Sequence, residues 1–220
     1  MEYSESGMKS DPLRVAIMVS GSGTNLQAIL DRCRGGRLNA FVCVVISNNR
    51  DAYALERARK EGIETVHWSE KKAGSAKAFA DGLLDILRNA GTELVVLAGY
   101  MKLIPLEVVK AYQGRMLNIH PALLPKFGGQ GFYGMKVHEA VLAAGESESG
   151  ATVHFVDAEY DRGPAFLQRT VPVLPGDTPE TLRARVLAVE HELLPDAIAK
   201  FAELYHRGDQ VRSEMKIPKH

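Results

Sequence analysis

The sequence predicts an α/β fold: a Rossmann-like, mostly parallel twisted sheet with helices on both of its faces. The first observation is three near-continuous apolar runs, typical of parallel strands covered on both faces, at residues 14–20, 41–47 and 93–98. The second is the amphipathic helical patterns that alternate with these runs, as in right-handed βαβ units. The third is a short turn late in the chain, which predicts an antiparallel strand in the C-terminal half.

The N-terminal half supplies the alternating elements. Apolar residues at 3.6-residue spacing predict one helix through residues 26–33 and another through residues 79–90. A further helix is expected at about residues 51–61, and a weaker strand follows it at residues 64–67. Strands and helices therefore alternate up to the apolar run at residues 93–98.

Four further elements follow in order: a strand at 116–120, a glycine-rich loop at 128–134, a helix at 135–144 and a strand at 150–156. The turn at residues 161–164, Asp-Arg-Gly-Pro, is too short for a crossover helix, so the next strand, at 166–173, should pair antiparallel with the strand before it. Thr178 as N-cap and Pro179 at the first helical position begin a long helix. Pro195 should kink this helix.

Length and composition are those of a soluble globular domain. We expect one domain over residues 13–207 of the 220, between loose tails at residues 1–12 and 208–220. Lys plus Arg and Asp plus Glu balance at 27 each, so neither nucleic acid nor a membrane surface is an expected partner. No apolar run approaches the roughly 20 residues of a membrane span, and the N-terminus lacks a secretory apolar segment. We therefore expect a cytoplasmic protein.

Residues 116–125, Met-Leu-Asn-Ile-His-Pro-Ala-Leu-Leu-Pro, place an amide and an imidazole in a core strand. Alternate strand residues share a face, so Asn118 lies beside His120. Pro121 lacks a backbone donor and should end the strand, which leaves His120 at the carboxyl edge where open α/β sheets bind ligands. This pair suits a reaction that builds negative charge on a carbonyl oxygen. Two satisfied polar residues at a strand end are the alternative.

Residues 20–25, Ser-Gly-Ser-Gly-Thr-Asn, join the first strand to the first helix. Small residues let the backbone approach a ligand, and a helix N-terminus offers free N–H groups and partial positive charge. Thr24 and Asn25 add side-chain hydrogen bonds. The segment predicts a phosphate-binding loop, although it matches neither the Walker pattern nor the complete dinucleotide-binding pattern. A plain strand–helix turn is the alternative.

Three other polar residues are candidates, each with a structural alternative. Asp161 lies in the turn after the strand that carries His154, and turn aspartates are usually local caps. A carboxylate near His120 would raise the pKa of that ring and hold it cationic near neutral pH. His154 alternates with apolar residues, which favours a core role over a catalytic one. Glu190 lies within the last helix, where a solvated face is the alternative.

Metal-binding patterns are absent from the sequence. The seven histidines show no HxH or HExxH spacing, and the two cysteines, Cys33 and Cys43, fall inside an expected helix and strand as small buried hydrophobes. We therefore expect no metal and no disulfide framework.

Taken together, these residues resemble the phosphoribosylglycinamide formyltransferase family, folate-dependent enzymes of purine synthesis. The matching segments occur in family order over about residues 14–205, and the ordered set is specific although no single motif is. They are Ser-Gly-Ser-Gly-Thr-Asn-Leu-Gln at 20–27, Ser-Asn-Asn at 47–49, Val-Leu-Ala-Gly-Tyr-Met at 96–101, Leu-Asn-Ile-His-Pro-Ala-Leu-Leu-Pro at 117–125, Thr-Val-His-Phe-Val at 152–156, Asp-Arg-Gly-Pro at 161–164 and Val-Glu-His at 189–191.

The resemblance implies the formyltransferase fold and transfer of a formyl group from the co-substrate 10-formyltetrahydrofolate to the amine of 5-phosphoribosylglycinamide, in IMP biosynthesis. These two small molecules would be the partners of a monomer or homodimer. The implied catalytic residues are Asn118, His120 and Asp161. The implied ribonucleotide-binding residues are Gly23, Thr24 and Asn25 at the phosphate and Glu190 at the glycinamide end. The implied folate-binding residues are Met101, Lys102, Leu103, Ile104, Asn118, Asp157, Ala158, Glu159, Tyr160 and Asp161.

The chemistry of formyl transfer is consistent with these roles. An amine that attacks a formyl amide creates a tetrahedral oxyanion, which Asn118 and a protonated His120 could stabilise, each donor contributing roughly 2.7–4 kcal/mol. The leaving nitrogen must then gain a proton, which His120 is placed to deliver or relay. Asp161 would keep that imidazole charged and oriented.

Two positions depart from the common bacterial pattern. The loop after Pro125, Lys-Phe-Gly-Gly-Gln-Gly-Phe-Tyr-Gly-Met, is longer than the usual Lys-x-Pro-Gly version. It resembles a branch of the family that has Lys where this chain has Gln130. The folate-contacting arginine of the family aligns with Ala76, and Lys77 is the candidate substitute. These changes bear on folate affinity and leave the catalytic trio unchanged.

Three other functions share part of this pattern. Formyltetrahydrofolate hydrolase uses the same trio but carries an N-terminal regulatory domain, for which the residues before Leu13 leave no room. Methionyl-tRNA formyltransferase carries a C-terminal RNA-binding domain and a basic surface, unlike this neutral chain. A non-catalytic nucleotide-binding or sensor module could keep the scaffold, but retention of all three catalytic residues favours an enzyme.

Overall fold

The computed structural model describes residues 11–159 and 161–208. The strands are β1 (Leu13–Val19), β2 (Ala40–Ser47), β3 (Thr65–His67), β4 (Leu94–Leu97), β5 (Met116–His120), β6 (Glu148–Phe155) and β7 (Ala165–Pro172). The helices are α1 (Thr24–Arg34), α2 (Tyr53–Lys60), α3 (Glu70–Ala73), α4 (Ala76–Asn89), α5 (Leu106–Ala111), α6 (Met135–Ala143) and α7 (Pro179–His206). All seven strands join one sheet in the order β3-β2-β1-β4-β5-β6-β7.

The sheet is mostly parallel. Strands β1 to β5 pair in parallel, whereas β6 pairs antiparallel with both β5 and β7. The predicted α/β fold with an antiparallel strand in its C-terminal half is therefore confirmed. The strand that runs against the others is β6, because the chain reverses again in the turn at residues 161–164 and β7 returns to the common direction.

Helices cover both faces of the sheet, because alternate residues of a buried strand point to opposite sides. In β1, Val15 and Ile17 pack on the side of α1, α2 and α7, while Ala16 and Met18 pack on the side of α4 and α5. Complete burial of an aliphatic side chain stabilises the fold by about 1.5–3 kcal/mol. Two buried faces therefore explain why these strands are apolar throughout.

Helices α1 and α7 lie side by side and run in the same direction. Near the start of α1, Asn25 contacts Glu190, and two turns later Arg32 contacts Asp196. Helix α7 begins with the predicted N-cap, since Thr178 accepts a hydrogen bond from the Thr181 N–H and Thr181 completes a capping box. The helix continues through Pro195, whose predicted kink stays a prediction.

Two short helices escape sequence analysis. Helices α3 and α5 have four and six residues, too few to show a helical period. The predicted bounds of the domain also stay predictions, because most residues of both tails fall outside the described ranges. No helix in the described part of the chain is long and apolar enough to cross a membrane.

Candidate active site at the carboxyl edge of the sheet

The pairing of β5 with β6 brings four polar side chains to one place. Asn118 and His120 share a face at the carboxyl end of β5, as predicted. The antiparallel register sets His154 opposite Asn118 and Thr152 opposite His120. The Thr152 hydroxyl donates to the carbonyl of Ala122 at 2.6 Å, which fixes the chain just after β5. The register therefore defines the positions of both polar residues on β5.

Asp161 brings a carboxylate to this group. Its backbone φ of 54° is in the left-handed region, which aspartate tolerates better than most residues. Oδ1 lies 3.3 Å from Nδ2 of Asn118 and 3.4 Å from Nε2 of His154, and Oδ2 lies 3.4 Å from Nδ1 of His120. Oδ2 also accepts the Gly129 N–H at 3.0 Å. The structure thus brings together all three residues of the expected trio.

His154 is buried, as its alternation predicts, but it also belongs to the cluster. Nδ1 lies 2.9 Å from the Phe155 carbonyl, which can only accept, so we assign the ring hydrogen to Nδ1. Nε2 then accepts an amide hydrogen of Asn118 at 3.0 Å. His154 therefore orients the Asn118 amide. Its role depends on the strand register, which a local sequence pattern does not reveal.

The protonation of His120 differs from the prediction. Burial lowers the pKa of His120, and the Asp161 carboxylate and Phe127 carbonyl raise it only in part, so the net shift is downward. The prediction that Asp161 holds His120 cationic near neutral pH is wrong, because loss of hydration outweighs the carboxylate. Both ring nitrogens nevertheless face acceptors, since Nε2 lies 2.7 Å from the Phe127 carbonyl. The surroundings therefore suit a proton that the ring gains during a reaction.

The Asp161 carboxyl is held in its ionised form. Burial raises the pKa of Asp161, but the neighbouring rings of His154 and His120 and the Gly129 N–H together outweigh burial, so its pKa is lowered. An ionised carboxylate among these groups can orient their hydrogens and stabilise positive charge on His120.

A cavity of about 690 Å³ opens beside the cluster. Its volume lies within the range of about 300–1,000 Å³ that is usual for small-molecule sites. Ala158 is not in its lining, and Tyr160 lies outside the described residues. The other site residues expected from the sequence all line it: Gly23, Thr24, Asn25, Met101, Lys102, Leu103, Ile104, Asn118, His120, Asp157, Glu159, Asp161 and Glu190.

The glycine-rich loop before α1 forms one end of the cavity. Gly23 has a φ of 73°, and a Cβ atom there would lie 2.5 Å from Cβ of Ala54, so only glycine fits. Nδ2 of Asn25 donates to Oε2 of Glu190 at 2.7 Å. Glu190 is only 8% exposed, which excludes a solvated helix face, and this burial raises the pKa of its carboxyl.

Ser20 connects this loop to the segment expected to bind folate. Its hydroxyl donates to Oδ1 of Asn48 at 2.5 Å and accepts the Met101 N–H at 2.8 Å. The carboxyl ends of β1, β2 and β4 are thereby joined through one side chain.

The longer loop at residues 128–134 also reaches the cavity, which residues 129–134 line. Gln130 is among them. The loop is attached to the cluster through the hydrogen bond between Gly129 and Asp161. Lys77, in contrast, pairs with Asp81 at 2.6 Å and is not in the cavity lining, so the structure does not support it as a substitute for the folate-contacting arginine.

Three lining residues were missed because nothing in their local sequence marks them. Arg183 lies on the cavity face of α7, and His138 on α6 is 2% exposed, with no hydrogen-bond partner for Nδ1 among the described residues. The Tyr100 hydroxyl is also buried without a partner in the described part of the chain, and burial raises its pKa to about 12. Within residues 11–159 and 161–208, no group of three or more His, Cys, Asp or Glu side chains could hold a metal ion. The expected absence of a metal stays a prediction.

Comparison with known proteins defines the class. The formyl transferase family model matches residues 13–198, and the chain belongs to this family. It is 44% identical over 200 residues to the chloroplastic phosphoribosylglycinamide formyltransferase of Arabidopsis thaliana, covering 90% of this chain and 68% of that protein. It is 40% identical over 191 residues to the phosphoribosylglycinamide formyltransferase of Escherichia coli (strain K12), covering 87% of this chain and 88% of that protein.

A solved structure agrees with these relatives. Glycinamide ribonucleotide transformylase 1 from Symbiobacterium toebii matches with a TM-score of 0.83 and 48% identity, over 89% of this chain and 90% of that chain. The resemblance and the formyltransferase fold expected from the sequence are confirmed.

Proposed function

We propose that this chain transfers the formyl group of 10-formyltetrahydrofolate to the amine of 5-phosphoribosylglycinamide, a step of purine (IMP) biosynthesis. The observation that carries the proposal is the cluster of Asn118, His120 and Asp161 in the wall of a cavity. The same cavity is lined by the glycine-rich loop that is expected to bind phosphate. The names of the Arabidopsis and Escherichia coli relatives support the same reaction. We propose that the reaction uses no metal.

The two substrates would occupy opposite ends of the cavity. The phosphate would contact Gly23, Thr24 and Asn25, and the glycinamide end would lie near Glu190. The pterin would contact the segments at residues 101–104 and 157–161. This arrangement would direct the amine and the formyl carbon toward Asn118 and His120, and fixing both reactants would remove much of the entropic cost of the reaction.

In the first step the amine nitrogen attacks the formyl carbon, and the carbonyl oxygen becomes an oxyanion. Nδ2 of Asn118 would donate to that oxygen. Its 3.0 Å hydrogen bond to His154 holds the amide, and the longer 3.3 Å contact with Asp161 is the one that the oxyanion would replace.

Proton transfer completes the reaction. The attacking amine loses a proton, and the neutral His120 would accept it at Nδ1, which is only loosely engaged at 3.4 Å from Asp161. The ionised Asp161 and the Phe127 carbonyl would stabilise the resulting cation. His120 would then return the proton to N10 of the folate as the carbon–N10 bond breaks.

Location and assembly remain predictions. We propose a cytoplasmic location, although the Arabidopsis relative is named chloroplastic, so the activity alone does not define the compartment. We also propose that the chain acts as a monomer or homodimer.

The deciding experiment mixes purified protein with 10-formyltetrahydrofolate, with and without 5-phosphoribosylglycinamide, and follows folate absorbance. We expect turnover that requires the ribonucleotide and is lost in the control variant His120→Ala. Turnover without the ribonucleotide would instead identify a hydrolase. No turnover in either mixture would favour a non-catalytic binding module. Turnover without the ribonucleotide and the absence of turnover would each contradict the proposal.

A further inference from the structure

The phosphate end of the cavity lacks a positive charge on its own loop. Residues 20–25 contain no lysine or arginine. Arg57 lies behind the loop, donates to the Ser22 carbonyl at 2.9 Å, and is not in the cavity lining. Among the lysines and arginines of the described residues, only Lys102 and Arg183 line the cavity. Lys102 belongs to the segment expected at the folate, which leaves Arg183.

Helical geometry places Arg183 beyond the N-terminus of α1. Arg183, Leu187 and Glu190 follow i, i+4, i+7 spacing, and all three line the cavity, so they share one face of α7. Seven residues of helix correspond to a rise of about 10 Å. Helices α1 and α7 run in the same direction, and Asn25 near the start of α1 lies beside Glu190. Arg183 therefore lies outside α1, about two helical turns beyond its N-terminus. Free N–H groups of α1 point toward that region.

The Arg183 guanidinium has no partner among the residues that the structure describes. No hydrogen bond or ion pair joins Arg183 to another described residue, whereas Arg185 on the same helix pairs with Asp177 at 2.6 Å. His138 lies in the same cavity wall, and Arg183 is close enough for its charge to act on both His138 and Glu190. His138 is 2% exposed, and its Nδ1 has no hydrogen-bond partner within the ranges that the structure describes. Two polar groups are therefore left unpaired on one wall, as in a site completed by its ligand.

We propose that Arg183 binds and neutralises the phosphate monoester of the ribonucleotide, opposite the N–H groups of the glycine loop. This inference rests on the proposed function for the identity of the substrate. A planar guanidinium donates two parallel hydrogen bonds to phosphate oxygens and also carries a full positive charge. Backbone N–H groups alone donate hydrogen bonds but do not supply that charge. Arg183 is thus a binding residue that determines specificity for the phosphorylated substrate.

The test compares Arg183→Gln with Arg88→Gln, which removes the same charge from an exposed site on α4. For Arg183→Gln we expect the KM for 5-phosphoribosylglycinamide to rise about 10- to 100-fold, with kcat and the folate KM within about twofold of wild type. The dephosphorylated substrate, glycinamide riboside, provides the second half of the comparison. With glycinamide riboside, Arg183→Gln and wild type should have the same activity, because this substrate has no phosphate for Arg183 to bind. An equal loss with both substrates, or an unchanged KM, would overturn the role of Arg183.

Calorimetry with ribose 5-phosphate separates this inference from the proposed reaction. Binding that is weakened about tenfold or more by Arg183→Gln, and unchanged by Arg88→Gln, supports the phosphate role whether or not formyl transfer occurs. Equal binding by wild type and Arg183→Gln, or no binding by wild type, contradicts it. Matching circular dichroism spectra of all variants establish that each is folded.

Discussion

Among single residues, Asp161 contacts more of the cluster than any other side chain named in the proposed mechanism. Its two oxygens face Asn118, His120 and His154 and accept the Gly129 N–H of the 128–134 loop. Its left-handed backbone aims the carboxylate into the group. One side chain therefore orients the amide, holds the loop and supplies the charge that stabilises a protonated ring.

We predict that Asp161→Asn lowers kcat by roughly 10²- to 10⁴-fold, because the amide cannot stabilise a cationic His120. Folding should be retained, since asparagine also tolerates the left-handed conformation. Steady-state kinetics and urea unfolding measure the two effects.

Asp161→Ala is the matched comparison for that variant. It removes the same charge but lacks a side chain that tolerates the left-handed backbone, so it should also lose about 1–2 kcal/mol of unfolding free energy. Near-normal kcat in Asp161→Asn would rule out the assigned role of the carboxylate.

Among the elements, the turn from β1 to α1 shows how tightly the packing of two helices constrains the phosphate loop. Gly23 is at once a left-handed residue, the N-cap of α1 and a residue whose added Cβ would collide with Ala54 on α2. A side chain at this position would separate α1 from α2 and displace the N–H groups that should face the phosphate.

We predict that Gly23→Ala lowers the unfolding free energy by about 2–4 kcal/mol and weakens ribonucleotide binding. Gly36→Ala is the matched control, because Gly36 has a φ of 66° and open space around its Cβ position. That variant should lose only the conformational part, about 1 kcal/mol. Urea unfolding of both variants measures the difference, and equal losses would show that contact with Ala54 is unimportant.

The same elements show which features of the fold the sequence predicts. Strands covered on both faces must be apolar throughout, and this pattern located β1, β2 and β4. All seven strands lie within one or two residues of their predicted bounds. The bounds of α4 were less accurate because it follows the polar N-cap Ser75 and begins at Ala76, three residues ahead of the apolar stripe. Helices α3 and α5 lack a full period and depend on the packing around them.

For the molecule as a whole, the site is assembled from segments distant in sequence. Asn118 and His120 were predictable because a polar pair in an apolar strand is visible locally. His154 needed the register of β5 with β6, and Arg183 needed the parallel arrangement of α1 and α7. The lowered pKa of His120 was missed for a related reason: its burial depends on the whole fold, and burial decides the direction of the pKa shift.

Stability against acid is also a property of the whole molecule, because several buried groups titrate together. Burial lowers the pKa of His120, His138 and His191, so the unfolded chain takes up protons before the folded protein as pH falls. These rings therefore destabilise the fold at acidic pH. Glu190 acts in the opposite direction, because burial raises its pKa and the folded protein binds that proton first.

We predict that His138 contributes most clearly to this acid sensitivity. Burial, with the charges of Arg183 and His120 adding to it, lowers the His138 pKa from 6.5 to about 4. The stability it contributes is present above pH 6.5 and is lost as pH falls toward 4, by up to about 3 kcal/mol. His138→Gln cannot titrate, so the unfolding free energy of wild type relative to this variant should fall by that amount between about pH 7 and pH 4. Urea unfolding of both proteins across this range measures the difference in unfolding free energy, and the opposing contribution of Glu190 cancels because both proteins contain it. A difference that stays constant with pH would show that His138 binds its proton equally well in the folded and unfolded states.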